Sequence, residues 1–275
     1  MKINASTSLF CVIGDPVSHS LSPIMHNAAF EHLNINAVYL AFNVKNVDSA
    51  ISGIRDLGIK GTSVTIPHKV KVMNFLDKID DTALKIGAVN TIVNQDGKLL
   101  GFNTDCLGAV KALMNKTPIK NKKVVLLGAG GAARAIGFGI LNEGGNLSIL
   151  NILEDEGQSL AKSLGVNYYH LSEYKKVDYE ILINTTPVGM FPDVDKSPIP
   201  KDGIIKGSVI MDIIYNPLKT KLLHDAEAEG CLTIDGTNMF VYQGAIQFEM
   251  WTHQKAPIDI MKKTVIEELS ALRCK

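Results

Sequence analysis

The stretch Lys123-Val-Val-Leu-Leu127, followed by Gly128-Ala-Gly-Gly-Ala-Ala133, decides the fold of the second half of the chain. The apolar run predicts a buried parallel strand, and the small residues after it predict a helix packed closely on that strand. The glycines match G-x-G-x-x-A, in which a tight turn brings the backbone and a helix N-terminus against a pyrophosphate. A glycine-rich turn without a ligand is the alternative. The predicted dinucleotide loop consists of Gly128, Ala129, Gly130, Gly131 and Ala132.

The residues after the second strand of this unit bear on the choice of dinucleotide. The predicted strand Leu147–Leu150 is followed by Asn151-Ile-Leu-Glu154-Asp155-Glu156, and no basic residue comes before Lys162. An acidic side chain here can accept hydrogen bonds from ribose hydroxyls, whereas a 2′-phosphate needs Arg or Lys. The local charge therefore favours NAD or a weakened preference for NADP. The acids can equally well serve only to stabilise the next helix N-terminus, so the choice stays open.

Strand-like and helical stretches alternate along the rest of the chain, which predicts an α/β fold with mainly parallel sheets. Residues 1–115, together with about 238–275, are predicted to form an N-terminal mixed α/β substrate domain. Residues 116–237 are predicted to form a C-terminal Rossmann-like dinucleotide-binding domain, with the polar stretch Asn115–Lys123 as the linker. The segment after Asn238 is helical by pattern and has no strand, so its helices are expected to pack back on the first domain.

Shorter signals predict local structure in the first half. Asp96-Gly97 is expected to be the turn of a hairpin between the strands Val89–Val93 and Lys98–Gly101. Ser22 is a candidate N-cap for a helix that has Pro23 at its first position.

Composition narrows the class of protein. The 28 basic and 28 acidic residues cancel, so no bulk charge favours nucleic acid or a membrane surface as a partner. Apolar runs are far shorter than the roughly 20 residues of a bilayer span, and the N-terminus does not resemble a signal peptide. The four scattered cysteines and the histidine spacing predict reduced thiols and no metal site. We therefore expect a cytoplasmic protein.

Four polar clusters in the first half follow or open predicted strands, where α/β sheets place ligands. Their Ser, Thr, Asn and Asp side chains offer hydrogen bonds to hydroxyl groups and to a carboxylate. Lys69 and Asp105 form the natural acid–base pair, because a carbonyl oxygen that gains charge from a hydride also needs a proton. Alternatively, Lys69 is a solvated surface lysine and Asp105 a helix N-cap. The clusters are Ser18-His-Ser20, Ser63-Val-Thr65-Ile-Pro-His-Lys69, Ala88-Val-Asn90-Thr91 and Asn103-Thr-Asp105.

These clusters, in this order and spacing, resemble the shikimate dehydrogenase family over essentially the whole chain. The glycine loop at Gly128 takes part in the match, and so do several segments on either side of it. These segments are Gly14-Asp-Pro-Val-Ser18-His-Ser20-Leu-Ser-Pro23-Ile-Met-His-Asn27, Val64-Thr65-Ile-Pro67-His-Lys69, Gly87-Ala-Val-Asn90-Thr91, Gly101-Phe-Asn-Thr-Asp105, Asn184-Thr-Thr-Pro-Val-Gly189, Asp212-Ile-Ile-Tyr215-Asn-Pro217 and Gly236-Thr-Asn-Met239 through Gln243.

The resemblance implies reversible reduction of 3-dehydroshikimate to shikimate, a step of aromatic amino-acid biosynthesis. It implies that Lys69 and Asp105 are the catalytic pair, with Lys69 as proton donor or acceptor. The implied substrate-binding residues are Ser18, Ser20, Thr65, Lys69, Asn90, Asp105, Tyr215 and Gln243. The implied cofactor contacts are Asp81, the loop from Gly128 to Ala132, Asn151, Ile213, Gly236 and Met239.

The chain departs from the family at one place. Family members that use NADP usually carry Asn-Arg-Thr/Ser after the second strand and a further basic residue shortly beyond. Here Asn151 remains, but Ile152, Leu153 and Glu156 occupy the other positions. NADP is the expected cofactor on the family pattern, with NAD possible on the local charge.

Two other functions stay open. A quinate or dual quinate/shikimate dehydrogenase that uses NAD would share the scaffold, although the pair Ser18 and Ser20 suits shikimate better. A dinucleotide-binding module without catalysis is less compatible with the intact pair Lys69 and Asp105. The expected partners are a small-molecule substrate and, at most, a second copy in a homodimer.

Overall fold

A computed structural model describes residues 3–272 of the chain, apart from the side chain of Leu272. The described chain divides into two compact units. Unit 1 takes the residues up to Thr104 and from Gln243 onward, and unit 2 is Asp105–Tyr242. The predicted α/β class with two parts is confirmed, and each unit contains its own sheet.

Unit 1 contains a mixed six-stranded sheet in the order β2-β1-β3-β5-β6-β4. β1, β2 and β3 are mutually parallel, β5 runs antiparallel to β3 and β6, and β4 is parallel to β6. The strands are β1 (Ser8–Gly14), β2 (Ala37–Asn43), β3 (Gly61–Val64), β4 (Lys78–Ile79), β5 (Thr91–Gln95) and β6 (Lys98–Phe102). The helices that begin in this unit are α1 (Ser22–His32), α2 (Val47–Asp56), α3 (Asp81–Ile86) and α9 (Ile258–Leu272), with a 3-10 turn at Lys71–Phe75.

Local signals in the first half are largely confirmed. The hairpin between β5 and β6 turns at Asp96 and Gly97, which both have positive φ (50° and 90°), as a tight two-residue hairpin requires. The predicted cap of α1 is wrong. Leu21 is the N-cap, Ser22 is the first helical residue and Pro23 is the second, and the Ser20 Oγ accepts a hydrogen bond from the Ser22 backbone N–H.

The C-terminal helices pack on unit 1, as predicted. α9 contacts α1, and the last part of α8 (Gly236–Thr252) covers the sheet with Phe248 and Trp251. The Trp251 indole N–H donates to the Ile92 carbonyl at 3.0 Å, which ties α8 to β5. His26 of α1 lies in the same aromatic layer, and burial lowers its pKa to about 3, so its ring is neutral.

Unit 2 contains a fully parallel six-stranded sheet in the order β12-β11-β10-β7-β8-β9. Counted within the unit, this is the 3-2-1-4-5-6 arrangement of doubly wound sheets, with the switch point between β7 and β10. The strands are β7 (Lys123–Leu127), β8 (Asn146–Asn151), β9 (Asn167–His170), β10 (Ile181–Asn184), β11 (Val209–Asp212) and β12 (Leu232–Ile234). The helices are α4 (Asp105–Met114), α5 (Gly131–Asn142), α6 (Glu154–Leu164), α7 (Lys221–Ala228) and the start of α8, with 3-10 turns at Leu171–Lys176 and Lys201–Gly203.

The observed division differs in detail from the predicted boundaries. The prediction assigned residues 105–115 to the first domain, but α4 packs on α5 within unit 2. The cause is a close helix contact at Gly139, where a Cβ would lie 2.9 Å from the Cys106 Sγ. The stretch Asn115–Lys123 therefore lies inside unit 2, where it runs from the end of α4 to the first residue of β7.

The described residues contain no helix with both the length and the apolar character that a bilayer crossing needs. Within the same range, 3–272, no cluster of His, Cys, Asp or Glu is arranged to hold a metal ion. Cys11, Cys106 and Cys231 are buried free thiols. Burial raises the pKa of Cys11 to about 12 and that of Cys106 to about 11, so neither is a ready nucleophile near neutral pH.

Two glycine substitutions test the packing of unit 1. A Cβ on Gly61 in β3 would collide with the Trp251 indole, so Gly61→Ala is expected to lower the free energy of unfolding by about 1–3 kcal/mol. Gly53, inside α2, has open space around its Cα, so Gly53→Ala is expected to raise it by about 0.5–1 kcal/mol. Because Trp251 is the single tryptophan, its fluorescence during urea unfolding reports on unit 1. Equal stability of Gly61→Ala and the parent would contradict the close contact of Trp251 with β3.

Candidate active site

The loops that follow β1 and β3 lie side by side at one edge of the unit 1 sheet. The Thr65 N–H donates to the Ile13 carbonyl at 2.9 Å, and the Asp15 N–H donates to the Ile66 carbonyl at 3.0 Å. A Cβ on Gly14 would collide with the Thr65 Cγ2, so a glycine is needed for this approach. The segment with Ser18 and Ser20 therefore leaves the sheet beside Thr65.

Lys69 and Asn90 are tied to the same edge by backbone hydrogen bonds. The Val89 N–H donates to the Lys69 carbonyl and the Val64 N–H donates to the Asn90 carbonyl, both at 2.8 Å. Lys69 is partly buried, and its role in proton transfer stays a prediction.

The side-chain amide of Asn90 is held in one orientation. Its Oδ1 accepts from the Thr104 N–H at 2.8 Å and from the Thr91 hydroxyl at 2.7 Å, and its Nδ2 donates to the Thr104 Oγ1 at 3.0 Å. Asn90 is 2% exposed, so these bonds replace those that water would otherwise supply. A fixed amide offers its second N–H in one direction, as a binding site for a substrate hydroxyl requires.

Gln247 of α8 joins three parts of this edge and was not predicted. Its Oε1 accepts from the Ser63 hydroxyl at 2.8 Å, and its Nε2 donates to the Thr91 Oγ1 at 2.9 Å and to the Asn90 carbonyl at 3.2 Å. The Ser63 Oγ also accepts from the buried Tyr39 hydroxyl at 2.6 Å. The contacts of Gln247 and Trp251 show that α8 runs parallel to β5, so Gln243, one turn before Gln247, lies beyond Asn90 toward the edge.

The predicted residues of the first unit thus come together at one sheet edge. Exposure differs among them: Ser18 is exposed, Ser20 and Gln243 are partly buried, and Asn90 is fully enclosed. Asp105, the residue after Thr104, opens α4 in unit 2 and is 5% exposed. Asp81 is the exposed first residue of α3, whose N-cap is Asp80, so its predicted cofactor role stays a prediction.

In unit 2 the predicted glycine loop has the conformation that its sequence indicated. Gly128 has φ of +106°, and a Cβ there would lie 2.8 Å from the Thr185 Oγ1 at the start of the loop after β10. Thr185 is fixed in turn, since its hydroxyl donates to the Leu127 carbonyl at 2.6 Å. The turn therefore sits at the switch point of the sheet, where doubly wound folds bind dinucleotides.

The N-terminus of α5 fits an anionic group. Gly130 is the N-cap, is exposed and has open space where a Cβ would be, and no side chain caps the helix. No acidic residue lies in the first turn of this fully described helix. Backbone N–H groups at such a terminus and the helix dipole favour a phosphate. The residues present thus fit the pyrophosphate of a dinucleotide.

The remaining predicted cofactor residues, and Tyr215 from the predicted substrate-binding set, lie at the carboxyl edge of the same parallel sheet. Asn151 ends β8 and is 8% exposed, and its Nδ2 donates to the Leu153 carbonyl at 2.8 Å. Gly236 begins α8 against the Ile213 carbonyl, with which a Cβ would collide. Met239 is buried one turn into α8, and Tyr215 packs on Phe240 with ring centroids 4.5 Å apart.

A buried carboxyl group fixes the loop that carries Tyr215. Asp212 is fully buried, and its oxygens accept from the Ile214 N–H at 3.0 Å, from the Asn184 amide at 3.1 Å and from the Thr220 hydroxyl at 2.7 Å. Burial outweighs these bonds and raises the pKa of Asp212 to about 6. Asn184 also accepts from Thr186, so one carboxyl group links the loops after β10 and β11.

The sheet order and the glycine turn at its switch point place unit 2 in the class of dinucleotide-binding domains of nicotinamide-dependent oxidoreductases. Two family models match the chain: the Shikimate dehydrogenase substrate binding domain at residues 12–92 and the Shikimate 5′-dehydrogenase C-terminal domain at residues 236–266. A curated shikimate dehydrogenase (NADP(+)) of Bacillus cereus is 46% identical over 272 residues, which cover 95% of this chain and 98% of the relative. The chain belongs to the shikimate dehydrogenase family.

Solved structures agree with this assignment. A shikimate dehydrogenase in complex with NADP+ is 42% identical, covers 98% of each chain and has a TM-score of 0.92. The Listeria monocytogenes shikimate 5-dehydrogenase in complex with shikimate and NAD is 35% identical, covers 96% of this chain and 98% of its own, and has a TM-score of 0.87. These two relatives thus carry different dinucleotides.

Sequence reasoning missed the side chains that hold the site residues in place. Gln247 lies four residues after Gln243 on one helix face, and this spacing was the available signal. Thr91 and Thr104 belonged to the predicted clusters but had no assigned role. Asp212 stood in a matching motif, and nothing in the sequence indicates that it is buried.

A double-mutant cycle tests the connection between Gln247 and Ser63. Gln247→Leu leaves buried polar groups without their partner and is expected to lower the free energy of unfolding by about 1–3 kcal/mol. Ser63→Ala is expected to have a smaller effect of the same sign. The double variant should be less destabilised than the sum, by about 0.5–2 kcal/mol, because both changes remove the same bond. Strict additivity in urea unfolding followed by Trp251 fluorescence would show that the two residues are not coupled.

The pKa of Asp212 predicts a pH-dependent stability. A folded-state pKa raised from 3.8 to about 6 favours the protonated carboxyl group, so this stabilisation is present below about pH 4 and is lost as the pH rises through 6. Asp212→Asn stays neutral and preserves the accepting oxygen. Its stability relative to the parent is therefore expected to increase between pH 4 and pH 8, by up to about 3 kcal/mol. Calorimetry at both pH values measures this difference, and a difference independent of pH would contradict the raised pKa.

Proposed function

We propose that this protein is a shikimate dehydrogenase that reversibly reduces 3-dehydroshikimate to shikimate, with NADP(H) as the cofactor named for its curated relatives. The observation that carries the proposal is the polar edge of unit 1. There backbone hydrogen bonds hold the segments of Thr65, Lys69 and Asn90 at the same sheet edge, and Lys69 is proposed to bring a proton to their hydrogen-bonding groups.

The substrate is a polyhydroxylated ring with a carboxylate, and the proposed binding residues match that chemistry. Asn90 offers a fixed amide, while Thr65, Ser18 and Ser20 offer hydroxyls that donate or accept. Gln243 and Tyr215 are neutral donors, which can bind a carboxylate or hydroxyl without changing the charge of the site. Each of these assignments extends the family pattern to this chain.

Lys69 is proposed as the proton donor during reduction. A bound nicotinamide dinucleotide supplies the hydride in this direction and accepts it in the other. As the carbonyl oxygen of the substrate gains negative charge, the Lys69 ammonium donates a proton and leaves the alcohol and a neutral amine. In the reverse direction the neutral amine takes the hydroxyl proton. Asp105 is proposed to orient the Lys69 ammonium or to accept a hydrogen bond from the substrate hydroxyl.

The proposed pyrophosphate contacts are the backbone N–H groups of Gly130, Gly131 and Ala132 at the start of α5. Their support is the uncapped helix N-terminus and the positive φ of Gly128 in the turn before it. Ile213, Gly236 and Met239 are proposed to contact the other half of the dinucleotide. Asn151 is proposed to contact the adenosine ribose.

The cellular compartment and the oligomeric state are proposed together with the activity. The three described thiols are buried and free, which supports a reducing compartment, the cytoplasm. The oligomeric state is proposed to be a monomer or a homodimer. A dehydrogenase that prefers quinate is the second candidate, and a higher kcat/KM for quinate than for shikimate would select it.

Removing the proposed proton donor provides the test. Lys69→Ala is expected to lower kcat for shikimate by about 10²–10⁴ while the KM changes far less, because binding is shared among many neutral groups. Lys71→Ala, at an exposed position of the same segment, is the matched control and should keep the parent kcat. Trp251 fluorescence verifies folding of both variants. A kcat for Lys69→Ala within about threefold of the parent would remove Lys69 from the mechanism.

A further inference from the structure

The turn after β8 carries no positive charge at the place where a 2′-phosphate would bind. Residues 151–156 form this turn and the start of α6, and none of them is basic. The side chains of Ile152 and Leu153 are 64% and 55% exposed, so apolar groups face the solvent there. Proteins recognise phosphate groups with Arg or Lys, whose N–H groups pair with the phosphate oxygens.

The basic residues next along the chain and in the neighbouring helix lie outside residues 151–156. Lys162 is in the last turn of α6, eight residues after Glu154, which is about 12 Å along the helix axis. Arg134, the single arginine of Asp105–Tyr242, lies in the first turn of α5, at the end proposed for the pyrophosphate. His170 pairs with Asn151 across the strands, and its Nδ1 is in a hydrogen bond with the Ser172 hydroxyl at 2.7 Å.

The polar groups of the turn suit a hydroxyl better than a phosphate. The Asn151 Nδ2 donates to the Leu153 carbonyl, which fixes the amide and leaves its Oδ1 as an acceptor. A ribose 2′-hydroxyl can donate to such an oxygen, whereas a phosphate dianion has no proton to donate. The acids Glu154, Asp155 and Glu156 in the first turn of α6 would also repel a phosphate.

We infer that the adenosine end of this site does not select for the 2′-phosphate, so that the protein binds NAD(H) at least as tightly as NADP(H). The inference rests on the proposed function, since it concerns the dinucleotide of the same reaction. Beyond that function, two parts of the dinucleotide are recognised separately. The backbone at Gly130 binds the pyrophosphate, and side chains at 151–156 bind the adenosine.

Calorimetry on the full chain tests the inference with ligand pairs that differ by one phosphate. The dissociation constant of NAD+ is expected to be equal to or below that of NADP+. 5′-AMP and 2′,5′-ADP, which contain the adenosine end alone, should show the same order. A dissociation constant of NADP+ below that of NAD+ by more than the error of the titration would overturn the inference and leave the proposed function intact. Binding of neither dinucleotide would overturn both.

Substitutions locate the effect. Ile152→Arg supplies the missing cation and is expected to lower the dissociation constant of NADP+ at least tenfold, while that of NAD+ stays within threefold. Ser163→Arg, at an exposed position near the other end of α6, adds the same charge and should leave the ratio of the two constants unchanged. Arg134→Gln should weaken both dinucleotides alike. A loss confined to NADP+ would show that Arg134 binds the 2′-phosphate and would overturn the inference.

Discussion

Two buried amides, those of Asn90 and Gln247, hold the polar edge of unit 1 together. Between them they join β3, β5, Thr104 in the segment after β6, and α8 through bonds of 2.7–3.2 Å. Each buried polar atom in this network would cost stability if it lost its partner, so the network has one satisfied arrangement. That arrangement fixes the backbone on which Thr65, Lys69 and Gln243 stand.

Unit 2 is held together at its glycine turn mainly by backbone conformation, in contrast to the side-chain network of unit 1. Its dinucleotide turn depends on backbone: a positive φ at Gly128, an uncapped α5, and loops held together by Asp212 and Asn184. Gly128 and Gly236 allow close approaches to Thr185 and to the Ile213 carbonyl, and these approaches bring the loops of this edge together. Side-chain hydrogen bonds thus fix the polar edge of unit 1, whereas main-chain geometry fixes the glycine turn of unit 2.

Features with local causes could be predicted from the sequence. The Asp96-Gly97 turn, the strand before Gly128 and the helix after the glycine loop each follow from residues close together in the chain. Features that depend on distant residues could not. Ser63 and Gln247 are 184 residues apart, and the placement of α4 in unit 2 follows from its packing on α5, with a close approach at Gly139. The preference for one dinucleotide could be predicted only in part. The charges of the turn after β8 can be taken from the sequence, whereas its hydrogen bonds cannot.

The exposure of Ile152 and Leu153 has a consequence for the history of the family. Exposed side chains outside the core contribute little to folding, so replacements there are tolerated. A lineage can thus exchange these residues without disturbing the Gly128 turn or the segment of Lys69 in the other unit. Dependence on one cellular pool of reducing equivalents or the other can drift by a few surface substitutions, while the reaction itself is conserved.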